Sequence, residues 1–151
     1  MVEAVLGPIH QEIEINGDIV RVWEAVTGVE QFPKWFQTLE YRAIIGSLFY
    51  LQPDDAKRAR GDRTGAMYCE LEALDPPERM VFSWFVPGKP KTRVTVGLKN
   101  VGLGTTLVKI MHTGWDLYPA REVEGIRDEL WRGYRDHVLP ALKRVAERPT
   151  H

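Results

Sequence analysis

Reactive and ligating side chains are scarce in this 151-residue chain. Cys69 is the only cysteine, so no internal disulfide can form. Ser47 and Ser83 are the only serines, and neither stands in a G-x-S-x-G turn that would expose a nucleophile. The histidines, His10, His112, His137 and His151, are scattered, with no H-E-x-x-H pair and no paired cysteine, so no metal site is expected. No glycine-rich loop follows a strand and opens a helix, which removes dinucleotide and nucleoside triphosphate sites, and no cofactor is expected. Charge of one sign is also missing. Twenty Lys and Arg against twenty-one Asp and Glu leave a net charge of −1, which gives no bulk attraction to nucleic acid or to an anionic membrane. The basic cluster Lys57, Arg58, Arg60 and Arg63 is offset by Asp54, Asp55 and Asp62 and reads as a solvated loop. No apolar run is long enough to insert in a bilayer, and MVEAVLGPIHQ lacks a basic n-region followed by an apolar core. One cytoplasmic domain over residues 1–151 is the expectation; a chain of this size buries roughly 70% of its unfolded surface without a metal or disulfide.

Rings and thioethers are plentiful by contrast: five Trp, five Tyr, five Phe and four Met. Their placement follows the periodicity of the chain. Ile9, Gln11, Ile13 and Ile15 alternate with His10, Glu12 and Glu14, the pattern of a half-buried strand. Asn16-Gly17 breaks it, and Asp18 is placed to cap a helix over IVRVWEAVTG that ends at Gly28. Val22, Trp23 and Val26 share one face of that helix. GVEQFPKWF, with Pro33 inside it, reads as a short second helix presenting Phe32, Trp35 and Phe36. Six strands are predicted next, over residues 39–45, 47–52, 66–74, 79–86, 93–100 and 105–113, with PDDAKRARGDRTG as a polar loop and VGLG as a hairpin. From about residue 120 to 148, Val123, Ile126, Leu130, Tyr134, Val138, Leu142 and Val145 recur at helical spacing, with Trp131 beside the stripe. Pro140 lacks an N–H and would crowd the carbonyl of Asp136, which predicts a kink or a break. Tight turns between strands imply antiparallel pairing. The fold class is therefore α+β: a curved antiparallel sheet of about six to seven strands around a long C-terminal helix, with two short helices after the first strand.

Several segments in this order resemble one family. DPPERMVFSW is similar to the PPxRLxxxW signature of the START-related (SRPBCC) superfamily, in the branch named for the activator of the heat-shock protein 90 ATPase. Val22-Trp23-Glu24-Ala25-Val26, Lys34-Trp35-Phe36, Gly104-Thr105 on the strand that reaches His112, and Gly125 and Trp131 fit the same pattern. Gly17-Asp18 stands where the family usually has a proline, and Gly46-Ser47 where it often has two glycines. The resemblance implies a helix-grip domain whose sheet and long helix enclose an apolar cavity. It implies little about activity, because relatives include lipid carriers, polyketide cyclases and co-chaperone domains, and a fold does not carry a function by itself.

Within LDPPERMVFSWF, Met80, Phe82 and Trp84 fall at alternate positions and share one strand face, with Val81 and Phe85 as the opposite parity. That face reads as partly core and partly pocket wall. The expected ligand wall comprises Trp35, Phe36, Met67, Met80, Phe82, Trp84, Ile110, His112, Trp131 and Tyr134. Cys69, in phase with Leu71, reads as an inert buried thiol. His112 shares parity with Val108 and Ile110, so its imidazole points inward, either hydrogen-bonded within a strand end or free to meet a ligand. His112 and Tyr134 are the candidates for acid–base chemistry if there is any. Arg42 and Arg93 are either cavity cations or surface ladder residues, and Asp116 and Tyr118 stand where an entrance would be rimmed. The leading reading is a module that binds an apolar or aromatic small molecule. The alternatives are a cyclase, dehydratase or hydrolase acting on a polyketide-like substrate, and a co-chaperone-like interaction domain; a homodimer is compatible with each.

Overall fold

The computed structural model describes residues 7–148; His151 and the first six residues lie outside them. Strand β1 (Ile9–Asn16) buries Ile9 and Ile15 and exposes His10, Glu12 and Glu14. Helix α1 (Ile19–Thr27) begins where the Asp18 carboxylate accepts from the Arg21 N–H at 3.0 Å, satisfying one of the free donors of the first turn. Its buried face carries Val22, Trp23, Ala25 and Val26. Helix α2 (Phe32–Trp35) is a single turn with Pro33 at its start, where the missing N–H interrupts nothing.

The remaining strands are β2 (Thr38–Leu39), β3 (Leu48–Leu51), β4 (Met67–Asp75), β5 (Arg79–Phe85), β6 (Thr92–Gly102) and β7 (Thr105–Thr113). They form one seven-stranded sheet in the order β1-β7-β6-β5-β4-β3-β2. Every pairing is antiparallel. Alternation holds along β6 and β7, where Val94, Val96, Leu98, Val108, Ile110 and His112 are buried and Lys109 and Met111 are exposed. On β5, Met80, Phe82 and Trp84 join the core on the concave face. Val81 and Ser83 are buried on the other face, whereas Phe85 is half-exposed.

Three local features depart from the sequence reading. The strand predicted over residues 39–45 stops at Leu39, because Glu40 and Ala43 take left-handed backbone angles of φ 64° and 56° that cannot continue a ladder. The polar loop contains a helical turn, α3 (Asp55–Ala59), started by the Asp54 carboxylate accepting from the Lys57 N–H at 2.9 Å. At the C-terminus, α4 (Ala120–Gly133) passes through a π-helical turn (Tyr134–Val138) into α5 (Leu139–Glu147). The Leu139 N–H reaches back to the Tyr134 carbonyl, one residue further than in an α-helix. The wider turn lies directly before Pro140, so the helix continues where an interior proline would otherwise break it. The whole is a helix-grip arrangement, with the long helix lying in a curled sheet. No helix among the described residues is long and apolar enough to cross a membrane.

One end of the space between sheet and helices is solid. Phe32 stands at its centre, edge-on to Trp35, Phe36, Phe49 and Phe82 at ring distances of 5.0–5.9 Å and stacked on Tyr41 at 4.2 Å. The polar tips around it are satisfied: the Trp35 indole donates to the Ala25 carbonyl at 3.1 Å and the Tyr41 hydroxyl to the Thr27 carbonyl at 2.6 Å. Phe32 is fully buried and touches five rings, so Phe32→Ala should lower unfolding free energy by about 3–5 kcal/mol, as read from urea denaturation.

Candidate functional site

At the other end the sheet and the long helix do not close on one another. A cavity of about 760 Å³ opens between α2, the β3–β5 side of the sheet and the long helix, within the roughly 300–1,000 Å³ typical of small-molecule sites. Trp35, Phe36, Leu51, Met67 and Trp84 line its sheet side; Ile126, Leu130, Gly133, Tyr134, Val138 and Ala141 line its helix side. Lys34, Gln37, Pro53, Glu129, Asp136, His137 and Arg144 complete the lining and are all exposed, so charge is kept to the rim. Gly133 has ordinary helical angles (φ −62°, ψ −42°), and a Cβ built on it would meet no atom within 4 Å. Neither backbone geometry nor crowding therefore requires a glycine at this point of the wall.

Behind the wall lies a directed hydrogen-bond chain. The Thr92 hydroxyl is 2.5 Å from the Trp84 carbonyl and 2.6 Å from His112 Nε2, and His112 Nδ1 is 2.9 Å from the Tyr134 hydroxyl. A carbonyl only accepts, so Thr92 spends its single proton on Trp84 and must accept from His112 Nε2–H. Burial holds the imidazole neutral, pushing its pKa down from 6.5 to about 3. A neutral imidazole carries one N–H, which leaves Nδ1 as an acceptor, and the Tyr134 O–H donates to it. Tyr134 is itself buried, and burial first and the nearby Cys69 second push its hydroxyl well above the usual phenol range. The indole N–H groups of Trp84 and Trp115 are buried and have no hydrogen-bond partner among the described residues.

Of the ten residues expected to meet a ligand, Trp35, Phe36, Met67, Trp84 and Tyr134 line the cavity. Met80, Phe82 and Ile110 lie in the closed part of the core. His112 is fully buried and is not part of the cavity lining; its Nδ1 is bonded to the hydroxyl of Tyr134, which is part of it. Trp131 is 36% exposed on α4, with the Arg135 guanidinium 4.7 Å from its ring centre, and lies apart from the wall. Cys69 is buried, and its desolvated thiol is pushed far above the ordinary range. Arg93 is an outward ladder residue paired with Glu72 at 2.7 Å, and Arg42 is exposed. Asp116 is exposed, whereas Tyr118 is buried and donates to the Pro90 carbonyl. No group of three or more potential metal ligands occurs among the described residues. Sequence reading did not single out Gly133, Ala141 or Leu51. The trace available for Gly133 was a glycine set between Leu130 and Tyr134 of the apolar stripe.

A family model described as Activator of Hsp90 ATPase homolog 1-like protein matches residues 17–137. No match is found among the curated proteins. Among solved structures, the chain is similar to Bacillus halodurans protein BH1534, with 26% identity, coverage of 94% of this chain and 98% of that one, and a TM-score of 0.69. It is also similar to Aha1 from Colwellia psychrerythraea, solved as a dimer, with 16% identity, coverage of 97% and 100%, and a TM-score of 0.69. A third is DynU16, a protein of the dynemicin biosynthetic locus, with 20% identity and a TM-score of 0.67; the match covers 94% of this chain and 48% of DynU16.

The depressed His112 pKa has a thermodynamic consequence. The unfolded chain takes up a proton below about pH 6.5 that the folded chain refuses until about pH 3, so stability is complete above pH 6.5 and is lost as pH falls between these values. The loss should approach about 1.4 kcal/mol per pH unit below pH 6. His112→Gln should be less stable at pH 7 but show a flatter decline between pH 6 and 4, measured by chemical denaturation at each pH. Parallel declines in the two proteins would contradict this assignment.

Proposed function

The chain belongs to the family of activator of Hsp90 ATPase homolog 1-like proteins, and from that premise and the shape of its cavity we propose that it binds an apolar or aromatic small molecule between the sheet and the C-terminal helix. The observation that carries this reading is the hollow of about 760 Å³ faced by Trp35, Phe36, Leu51, Met67 and Trp84 on one side and Ile126 and Leu130 on the other. Each Å² of apolar surface buried there by a ligand is worth about 25 cal/mol. Met67 adapts its shape to an occupant, and the rings supply flat contact area. Gly133 supports the same reading. A helix-interior glycine costs about 0.5–1 kcal/mol relative to alanine, and here its effect is to leave the wall open.

Catalysis is the less favoured reading. A general base at His112 would have to hold a proton in a site whose burial disfavours the imidazolium. Within the binding reading, His112 serves to orient Tyr134. The DynU16 neighbour lies in a biosynthetic locus, which makes a polyketide-like compound a reasonable probe to include. The dimer solved for the Colwellia protein makes pairing of two copies a property to measure alongside.

Titration with a solvatochromic naphthalene dye tests the proposal. We expect saturable blue-shifted emission with about one site per chain. Gly133→Phe, at a lining position where an added Cβ meets no atom within 4 Å, should weaken the dye at least tenfold, a loss of about 1.4 kcal/mol, while its thermal midpoint is unchanged or raised. Absence of any dye binding, or full binding by the filled variant, would overturn the proposal.

A further inference from the structure

We infer that the cavity selects for an uncharged hydroxyl on its apolar ligand, a phenol or alcohol, held between the Trp84 indole N–H and the Tyr134 hydroxyl oxygen; this inference rests on the binding reading above. Both residues line the cavity and both flank His112, with the Trp84 ring 5.3 Å from the imidazole and the Tyr134 hydroxyl 2.9 Å from Nδ1.

The selectivity follows from which protons are already committed. The Thr92 proton goes to the Trp84 carbonyl and the His112 proton to Thr92, so Tyr134 donates to His112. A donating Tyr134 hydroxyl has only lone pairs left, and toward a ligand it is an acceptor. The Trp84 N–H is the complementary group, a donor with no partner among the described residues although its residue is 1% exposed. A buried donor without a partner carries an unrecovered desolvation cost, and a ligand oxygen removes it. One donor and one acceptor match a neutral hydroxyl, which accepts from Trp84 and donates to Tyr134. A ketone or ester oxygen satisfies Trp84 alone. A carboxylate satisfies Trp84 but sets negative charge against the Tyr134 lone pairs, and Lys34 and Arg144 stand exposed at the rim rather than in the interior. His112 is a positioning residue here: by taking the Tyr134 proton it sets which way the hydroxyl faces.

The test is calorimetric titration of the full chain at pH 7 with naphthalene, 2-naphthol and 2-naphthoate, together with the indole N–H signals in ¹H–¹⁵N spectra. 2-Naphthol should bind about tenfold tighter than naphthalene, the return of one or two well-made hydrogen bonds, and at least tenfold tighter than 2-naphthoate. The Trp84 indole signal, assigned through Trp84→Phe, should move downfield with 2-naphthol and stay near its place with naphthalene. Tyr134→Phe should cut the preference for 2-naphthol over naphthalene to within about threefold, whatever it does to the affinity for naphthalene, with circular dichroism confirming the fold. Should either variant fail to fold, the three affinities in the unaltered protein still decide. Equal binding of naphthalene and 2-naphthol, or tightest binding of 2-naphthoate, would overturn this inference and leave the hydrophobic-ligand reading standing. Binding of none of the three would overturn that reading itself.

Discussion

The buried hydrogen bond from Tyr134 to His112 joins the terminal helix to the inner face of the sheet. Elsewhere the polar contacts between helix and sheet lie at the exposed β1 edge, where Glu147 accepts from the Asn16 N–H and Lys143 donates to the Glu14 carbonyl; the Tyr134–His112 bond lies in the interior. This bond is directional, and it is backed by two more, from His112 to Thr92 and from Thr92 to the Trp84 carbonyl. Such a chain defines a register. It holds the helix at the sheet where β5, β6 and β7 run side by side, and it sets the orientation of a hydroxyl that would otherwise rotate freely. It also explains how a histidine can sit fully buried: both ring nitrogens have partners, and the uncharged form is the one the surroundings tolerate.

The concave space is shared unequally about that tether. Toward α2 it is filled by Phe32 and its ring of neighbours, which pack at ordinary aromatic distances and leave their polar tips satisfied. Toward Trp84 it is hollow. Apart from Tyr134, the uncharged residues on the helix side of the hollow are small or branched, with Gly133 and Ala141 among them. The π-helical turn lies between these two and carries Tyr134, so the proline that requires a wider turn at position 140 stands one turn from the hydroxyl the site uses. A closed interior would be the more stable arrangement, because empty volume forfeits dispersion contacts and a donor without a partner forfeits its hydration. A binding site keeps such groups unmatched until its ligand arrives.

The fold is shared with proteins as different as a dimeric Aha1 and a protein of a biosynthetic locus. These neighbours are 16–20% identical and speak to architecture. Under the proposed reading, Trp84 and Tyr134 offer hydrogen bonding to an occupant, and His112, Thr92 and Gly133 govern how that capacity is presented.

Much of the architecture was legible in the residue pattern. Strand alternation at Ile9–Asn16 and Thr105–Thr113, the Asp18 cap, and the helical stripe from Val123 to Val145 are set by near neighbours, so they can be read from the sequence itself. The strand predicted through residue 45 was not, because the left-handed turns at Glu40 and Ala43 occur in residues that ordinarily avoid them. For the site, sequence identified the inward face of Met80, Phe82 and Trp84 but not its division into core and wall. Phe82 meets the rings of Phe32 and Phe36, and Met80 is fully buried in the core, whereas Trp84 lines the cavity together with Gly133 of the helix. A separation of 22 residues likewise set His112 apart from Tyr134 and hid the direction of their hydrogen bond. Periodicity reports which way a side chain points; only the packed chain decides whether anything stands opposite, since that depends on how far apart a sheet and a helix some fifty residues removed come to rest.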